Sequence, residues 1–219
     1  MSTDGVRILA GVTPDTFRHQ QLGPGLLLKN FEYETIATAE AFRAAFTEAI
    51  REGQSLGGTD GGFEINITPT FRKRQVDGAN MPFRGDEVID EWTCEMSTIL
   101  KEFTPTTLQA AFPTSEFALV GTDIVAMRIR SAIEDEDHAD NFTAIMTTDY
   151  GWLMVAMFNA LGRTTGAINT EDRSEGDIPF QVNGKIGDFE AIDFAPAEIW
   201  MVDRTTGGII RNKVGAGGE

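Results

Sequence analysis

Paired glycines followed by a strictly alternating segment limit the folds open to this chain more than any other feature. Glycines stand at positions 57–58 and 61–62, and a strand is predicted from Phe63 to Arg74, in which apolar and polar residues alternate as far as Arg72. A period of two is typical of a strand with one buried and one solvated face. Pro69 lies within this segment and predicts an edge strand or a bulge there. The segment ends at a second turn signal, Asp77-Gly78.

A second long strand is predicted from Glu87 to Phe103, because its residues alternate in the same way. Trp92, Cys94 and Met96 fall on its apolar face, so Cys94 is expected to be an inert core thiol. The polar faces of the two strands supply our candidate functional residues, which carry carboxylate, amide and hydroxyl groups. They are Glu64, Asn66, Thr68 and Thr70 on the first strand, and Glu91, Thr93, Glu95 and Ser97 on the second.

Capping signals predict two helices. Thr38 is a plausible N-cap for a helix that runs to about Glu52, and Gly53 is its stop signal. An apolar stripe along this helix is expected to pack against a sheet; a partner-binding groove is the alternative. Thr104-Pro105 predicts a shorter helix, since proline is favoured at the first helical position.

Short strands separated by turn signals fill most of the remaining chain, and an acidic hairpin-like link, residues 134–140, joins the second and third of them. We predict strands at Leu26–Thr35, Ile124–Ile133, Asn141–Thr148, Trp152–Leu161, Ile178–Asn183 and Glu198–Val202, with a turn at 159–162. The expected fold is mainly β with one or two short helices, arranged as a β-sandwich or partial barrel. Residues 1–25 are expected to form an N-terminal arm, 26–202 the domain, and 203–219 a flexible C-terminal arm.

Composition argues against several functions. The 18 basic and 34 acidic residues give a net charge of −16, and Arg72-Lys73-Arg74 is the one basic cluster. A conventional DNA-binding domain is therefore rejected, because it needs basic stripes to displace counterions. A single cysteine and the absence of a long apolar run predict a soluble intracellular product without membrane association.

The titratable residues suggest no enzyme and no cofactor. His19 and His138 do not stand at ligand spacing from each other or from a cysteine, so no metal site is predicted. Asp135, Asp137 and Asp140 lack the spacing of an EF-hand, and a solvated acidic loop is the better interpretation.

In order and spacing, the segments of residues 26–202 resemble the major tail tube proteins of long-tailed, non-contractile bacteriophages. The matching segments are Gly57–Ile67, Val76–Gly78, the loop to Gly85-Asp86, Val88–Met96, Leu100–Leu108, Asn159–Leu161 through Glu171-Asp172, and Glu175–Phe180. The resemblance implies a tail tube fold of the β-sandwich type. It further implies that six subunits form a ring, that rings stack into a tube, and that the sheets join into one continuous β-barrel.

Several functional expectations follow from this resemblance. The tube would conduct DNA without binding it specifically, and the eight candidate residues would line its lumen. The loop Gly78–Asp86 would stack onto the next ring through Met81, Pro82, Phe83 and Arg84. The implied partners are further copies of the chain, a tape measure protein, a tail terminator and tail-tip proteins. The implied location is the virion tail, after assembly in the host cytoplasm.

Two other interpretations stay open. The chain could be a different ring-forming protein of the same lineage, such as a tail terminator, a distal tail protein or a secretion-system tube. It could instead be a ligand-binding β-sandwich in which Trp92, Trp152 and Trp200 supply a stacking platform. The second interpretation requires at least two of these indoles on one exposed face.

Overall fold

The described part of the chain is mainly β with two short helices, as predicted. The computed structural model describes residues 21–74, 84–120, 124–166, 177–185, 195–204 and 209–213. Its elements in chain order are β1 Gln21–Lys29, α1 Ala39–Arg51, β2 Thr59–Lys73, β3 Glu87–Leu100, α2 Pro105–Ala111, β4 Ser115–Val120, β5 Ile124–Ile129, β6 Ala139–Thr148, β7 Gly151–Thr164, β8 Ile178–Asn183, β9 Ala197–Asp203 and β10 Ile209–Lys213. A 3-10 turn at Asp135–Asp137 precedes β6.

Eight of these strands form one antiparallel network that folds over on itself. We call the layer β10-β9-β7-β6-β1 sheet 1, and the layer β7-β8-β3-β2 sheet 2. The inner faces of the two layers share a core that includes Met96 and Phe180 from sheet 2 and Phe142 and Met157 from sheet 1. The rings of Phe142 and Phe180 meet edge to face, with centroids 5.6 Å apart.

Strand β7 belongs to both layers because it turns a corner at Asn159. Its first half pairs with β6 and β9, and residues 161–164 pair with β8. Asn159 has φ 44°, a left-handed conformation that asparagine tolerates better than most residues. The turn predicted at 159–162 is therefore wrong, since these residues bend a continuous strand and do not end it.

The opposite side of the two layers is partly closed by residues 54–58. Lys29 donates its backbone N–H to Gln54 O, and Leu56 donates to Leu27 O, so this segment first pairs with the edge of sheet 1. It then crosses to sheet 2, where Gly58 O accepts from the backbone N–H of Lys101. The two crossings give the fold the character of a partial barrel.

Both helices form where their capping signals predict. The Thr38 hydroxyl accepts from Ala41 N–H at the start of α1, and Gly53 follows its end with φ 77°. Helix α1 covers the outer face of sheet 1, where Phe42 packs in a second cluster with Met154 and Trp200. The packing interpretation of its apolar stripe is thus confirmed.

Several predicted boundaries and pairings are wrong. Strand β1 begins at Gln21, inside the predicted N-terminal arm, and ends before Asn30, whose φ of 57° interrupts extended structure. Strand β5 pairs with β4, which was not predicted, and so the acidic link is not a hairpin to β6. Strand β10 lies inside the predicted C-terminal arm, where it pairs with β9. Among the described residues, neither helix is long and apolar enough to cross a membrane.

Candidate functional site

The eight candidate residues lie side by side on the outer face of sheet 2. Strands β2 and β3 place them directly opposite one another in four cross-strand pairs. These pairs are Glu64 with Ser97, Asn66 with Glu95, Thr68 with Thr93, and Thr70 with Glu91. The alternation in the sequence therefore identified one continuous face, which we call the polar face.

Paired glycines set the register of this face. Gly61 and Gly62 have φ 74° and 78°, and the pairing shifts between Asp60 and Glu64. A bulge at left-handed glycines turns the following side chains without steric cost. The hydroxyl of Thr98 donates to Gly62 O at 2.7 Å and fixes the bulge from β3. The glycine-rich segment thus directs Glu64 and its successors outward.

Strands β7 and β8 extend the polar face with residues that the sequence analysis missed. Gln181 is the cross-strand partner of both Ser97 and Arg163, which completes one row across four strands. Asn183 is the partner of Glu95 and donates to its carboxylate at 3.2 Å. The alternation of Phe180 and Val182 with the polar residues Gln181 and Asn183 could have revealed this contribution.

The polar face is acidic but not strongly charged. Among its described residues, three glutamates are opposed by one cation, Arg163, whose guanidinium donates to Gln181 Oε1 at 3.3 Å. A shallow polar cleft of about 300 Å³ lies over Glu64, Asn66, Glu95 and Ser97. No His, Cys, Asp or Glu side chains in the described part of the chain group as three potential metal ligands. The face therefore offers hydrogen-bonding groups and a modest negative potential.

Sheet 2 ends in two edges that lack a strand partner within the described residues. One edge is β2 beyond its start, and the other is the last part of β7, residues 161–164. Exposed edges are templates for pairing with another chain. Pro69 stands on the β2 edge, as predicted, and a register shift follows at Thr70 and Phe71.

The β2–β3 hairpin extends past the core. Pairing between β3 and β8 stops at Glu95, so residues 70–73 and 87–91 have only each other as strand partners among the described residues. We call these two segments the hairpin extension. Phe71, predicted on the buried face, is 59% exposed because no layer of the sandwich reaches it. Its cross-strand partner Ile89 is 45% exposed.

Only the end of the predicted inter-ring loop belongs to the residues that the structure describes. Met81, Pro82 and Phe83 lie outside the described residues, and Arg84 is exposed. The assignment of these four residues to ring stacking stays a prediction.

The three tryptophans form no platform. Trp200 is 1% exposed in the outer cluster, and Trp152 packs there against the rings of Phe42 and Phe46. Trp92 is half-buried against the core between the two layers. The geometry required by the ligand-binding interpretation is therefore absent.

The remaining chemical candidates lie in structural settings. Cys94 is 3% exposed, and burial raises the pKa of its thiol to about 11. The carboxylate of Asp137 accepts from Arg130 and from the backbone N–H of Glu134. His19 lies outside the described residues, and His138 approaches Lys185 Nζ at 3.4 Å.

No protein-family model matches the chain, and no curated protein matches it significantly.

Proposed function

We propose that this chain is a structural subunit that assembles into rings and stacked tubes, with the polar face of sheet 2 turned toward the lumen. The observation that carries the proposal is a polar sheet face bounded by two strand edges that lack a partner within the described residues. A sheet of this kind can be completed by copies of itself. The proposed fold type is that of the tail tube proteins which the sequence resembles.

The strand directions favour closure between copies. Strands β2, β3, β8 and β7 alternate in direction, because every pairing between them is antiparallel. The β7 edge of one copy would therefore run antiparallel to the β2 edge of the next. A head-to-tail contact of this kind closes into a ring when its rotation divides a full turn. Closure also removes both exposed edges, which are otherwise an aggregation hazard.

The size of the resulting barrel suits a conduit. Six copies, the number implied by the resemblance, would contribute about 24 strands. With strands about 4.8 Å apart and tilted by roughly 40°, the backbone radius is about 24 Å. Side chains on the inner face leave a channel of roughly 35 Å across, which is wider than a DNA double helix. Such a channel has room for a passing duplex.

The chemistry of the polar face suits passage without adsorption. Duplex DNA carries one negative charge per about 1.7 Å of its axis and binds proteins mainly through lysine and arginine. The polar face presents three carboxylates and one guanidinium per copy among the described residues. A ring of these faces repels phosphates mildly and offers no basic stripe. DNA can then slide along it.

The proposed setting is the virion tail, with assembly in the host cytoplasm. A tape measure protein, a tail terminator and tail-tip proteins are the expected partners, besides further copies of the chain. A tail terminator or a distal tail protein would use the same edges but stop at one ring, whereas a secretion-system tube would also stack.

Electron microscopy of the purified protein over a range of concentrations tests the proposal. Hollow tubes, or stacks of six-subunit rings, are the expected result. Single rings that never stack would instead favour a terminator or distal tail protein. Monomers at every concentration, including after addition of tail-tip complex as a nucleus, would contradict ring formation altogether.

A further inference from the structure

Two surfaces at different places on the chain have matching properties, and the first is the hairpin extension. Phe71 and Ile89 form an exposed apolar pair on one of its faces. Arg72 pairs with Asp90 at 3.0 Å, and Lys73 lies 3.8 Å from Glu87. At its end, Arg74 and Arg84 form no ion pair with another described residue. The extension therefore combines an apolar pair with two guanidinium groups that have no ion pair among the described residues, in a chain of net charge −16.

The second surface is an acidic cleft of about 600 Å³ between α2, the β4–β5 hairpin and the end of β1. Four carboxylates line it and only two cations, Lys29 and Arg130. Arg130 is already occupied, because it contacts Glu116 at 3.2 Å, Glu134 at 2.6 Å and also Asp137. The cleft thus keeps an excess of negative charge, and Glu136 has no ion pair among the described residues.

An unused polar group also lines this cleft. Ser115 is 4% exposed, and its hydroxyl has no hydrogen-bond partner among the described residues. Buried hydroxyl groups are normally paired, so this oxygen is suited to a donor supplied from outside. A guanidinium group that enters the cleft would provide such a donor.

Apolar residues border the acidic cleft as well. Ile129 is the cross-strand partner of Ser115 and is 59% exposed, and Ile133 follows close behind and is 58% exposed. Together with Phe71, they are the three most exposed large apolar side chains of the described residues. A two-stranded hairpin such as β4–β5 is only marginally stable unless something packs against it. The cleft and the extension therefore complement each other in both charge and apolar surface.

The two surfaces cannot meet within one chain. Gly162 lines the cleft and lies level with Met96 of β3, through its pairing with Val182. Met96 and Ile89 are seven positions apart, which is about 23 Å along the strand. The hairpin extension lies at the N-terminal end of β3 and points away from the cleft. Helix α2, which borders the cleft, follows the C-terminal end of β3. Any contact between them must join two copies.

We propose that the hairpin extension of one copy docks into the acidic cleft of another copy. Phe71 and Ile89 pack against Ile129 and Ile133, and Arg74 enters the cleft toward Glu136. Because the two surfaces lie at opposite ends of the strands, the contact is head-to-tail and leaves one extension and one cleft free, which gives an open-ended polymer. The inference rests on the proposed function only in taking a second copy as the partner and in assigning this contact to stacking along the tube.

Cross-linking between two variants of the full chain that each carry one added cysteine tests the docking. An untagged Glu87→Cys chain is mixed with a tagged Asp135→Cys chain and treated with a short bismaleimide; both positions are exposed and lie beside the Arg74–Glu136 contact without removing it. We expect a mixed covalent dimer from this pair, whereas Arg43→Cys in place of Asp135→Cys should give only the background yield. The wild-type chain controls for Cys94, which is buried. Absence of the mixed dimer above background at the highest protein concentration reached would overturn the proposal.

A second variant separates docking from chance collision. Phe71→Ser in the Glu87→Cys chain removes most of the apolar contact and should weaken the association about tenfold to a hundredfold. The site is exposed, so the monomer should keep its circular dichroism spectrum and melting temperature. An unchanged cross-linking yield from this chain would contradict the packing assigned to Phe71.

The docking and the proposed function can fail separately. Hollow tubes without the mixed dimer overturn this docking and leave the tube proposal standing. The mixed dimer in preparations that form neither rings nor tubes supports the docking and contradicts the tube.

Discussion

The left-handed residue at the corner of β7 leads to a quantitative prediction about the free energy of unfolding. Asn159 holds φ 44° at the point where the strand leaves sheet 1 for sheet 2. Its side chain is exposed, and its amide donates only weakly to Lys185 O, at 3.4 Å. The backbone conformation therefore accounts for most of what asparagine contributes. Replacing Asn159 with valine tests this contribution, because a β-branched residue is strained in the left-handed region.

The magnitude follows from that backbone angle. A left-handed conformation costs most L-residues roughly 1–2 kcal/mol, whereas asparagine and glycine adopt it more readily. Asn159→Val should lower the free energy of unfolding by about 1–2 kcal/mol. Asn159→Gly should change it by less than about 0.5 kcal/mol. Asn66→Val is the matched control, because Asn66 is exposed in a strand, where valine is favoured.

Urea unfolding measures the effect. With a slope of about 2 kcal/mol per molar urea, the expected loss moves the midpoint of Asn159→Val down by roughly 0.5–1 M. Asn66→Val should leave the midpoint close to that of the wild type. Equal midpoints for Asn159→Val and Asn66→Val would refute the claim that the corner depends on a left-handed residue.

Two further predictions concern a helix cap and a buried thiol. Thr38→Ala removes the hydroxyl that accepts from Ala41 N–H and should cost about 1 kcal/mol in urea unfolding, whereas Thr38→Ser should keep nearly full stability; equal losses would contradict the cap. Burial raises the pKa of Cys94 to about 11, so above pH 9 the unfolded chain loses this proton before the folded chain does. The free energy of unfolding should therefore fall between pH 9 and 11, by on the order of 2 kcal/mol more than in Cys94→Ala. Parallel slopes for the two proteins over this range would contradict the effect of burial.

Features encoded by neighbouring residues were predictable from the sequence. Thr38 and Gly53 bound α1, and Thr104-Pro105 starts α2, because capping depends on hydrogen bonds within a single turn. The polar face was predictable for a similar reason. Strict alternation after Gly61-Gly62 decides which side chains share a face, whatever the sheet packs against.

Features that depend on distant contacts were not predictable. Phe71 continues the apolar alternation of β2, but it is exposed because the core ends before it. The core ends there because β8 is too short to pair with β3 beyond Glu95, and the sequence of β2 does not encode that length. Asn159 resembles a turn residue, yet the strand continues because β8 is available to pair with residues 161–164. The pairing of β5 with β4 likewise depends on where α2 places β4. The acidic cleft is invisible in the sequence, since its residues come from separate segments.

The same distinction applies to function. The sequence indicates which side chains form the polar face. The fold adds a projecting hairpin, a complementary cleft and two edges that lack a strand partner within the described residues. Each of these features is incomplete in one chain and can be completed by another. These observations are the basis for proposing assembly as the function.

Accessibility of the polar face in the assembled protein tests the central claim most directly. Thr68→Cys lies on the polar face, and Thr47→Cys lies on the exposed side of α1. Both are biotinylated as monomers, assembled, and then probed with streptavidin, which is too large to enter the channel. The account predicts that streptavidin binds assembled protein labelled at position 47 but not at position 68. Equal binding at both positions would contradict a lumen lined by the polar face.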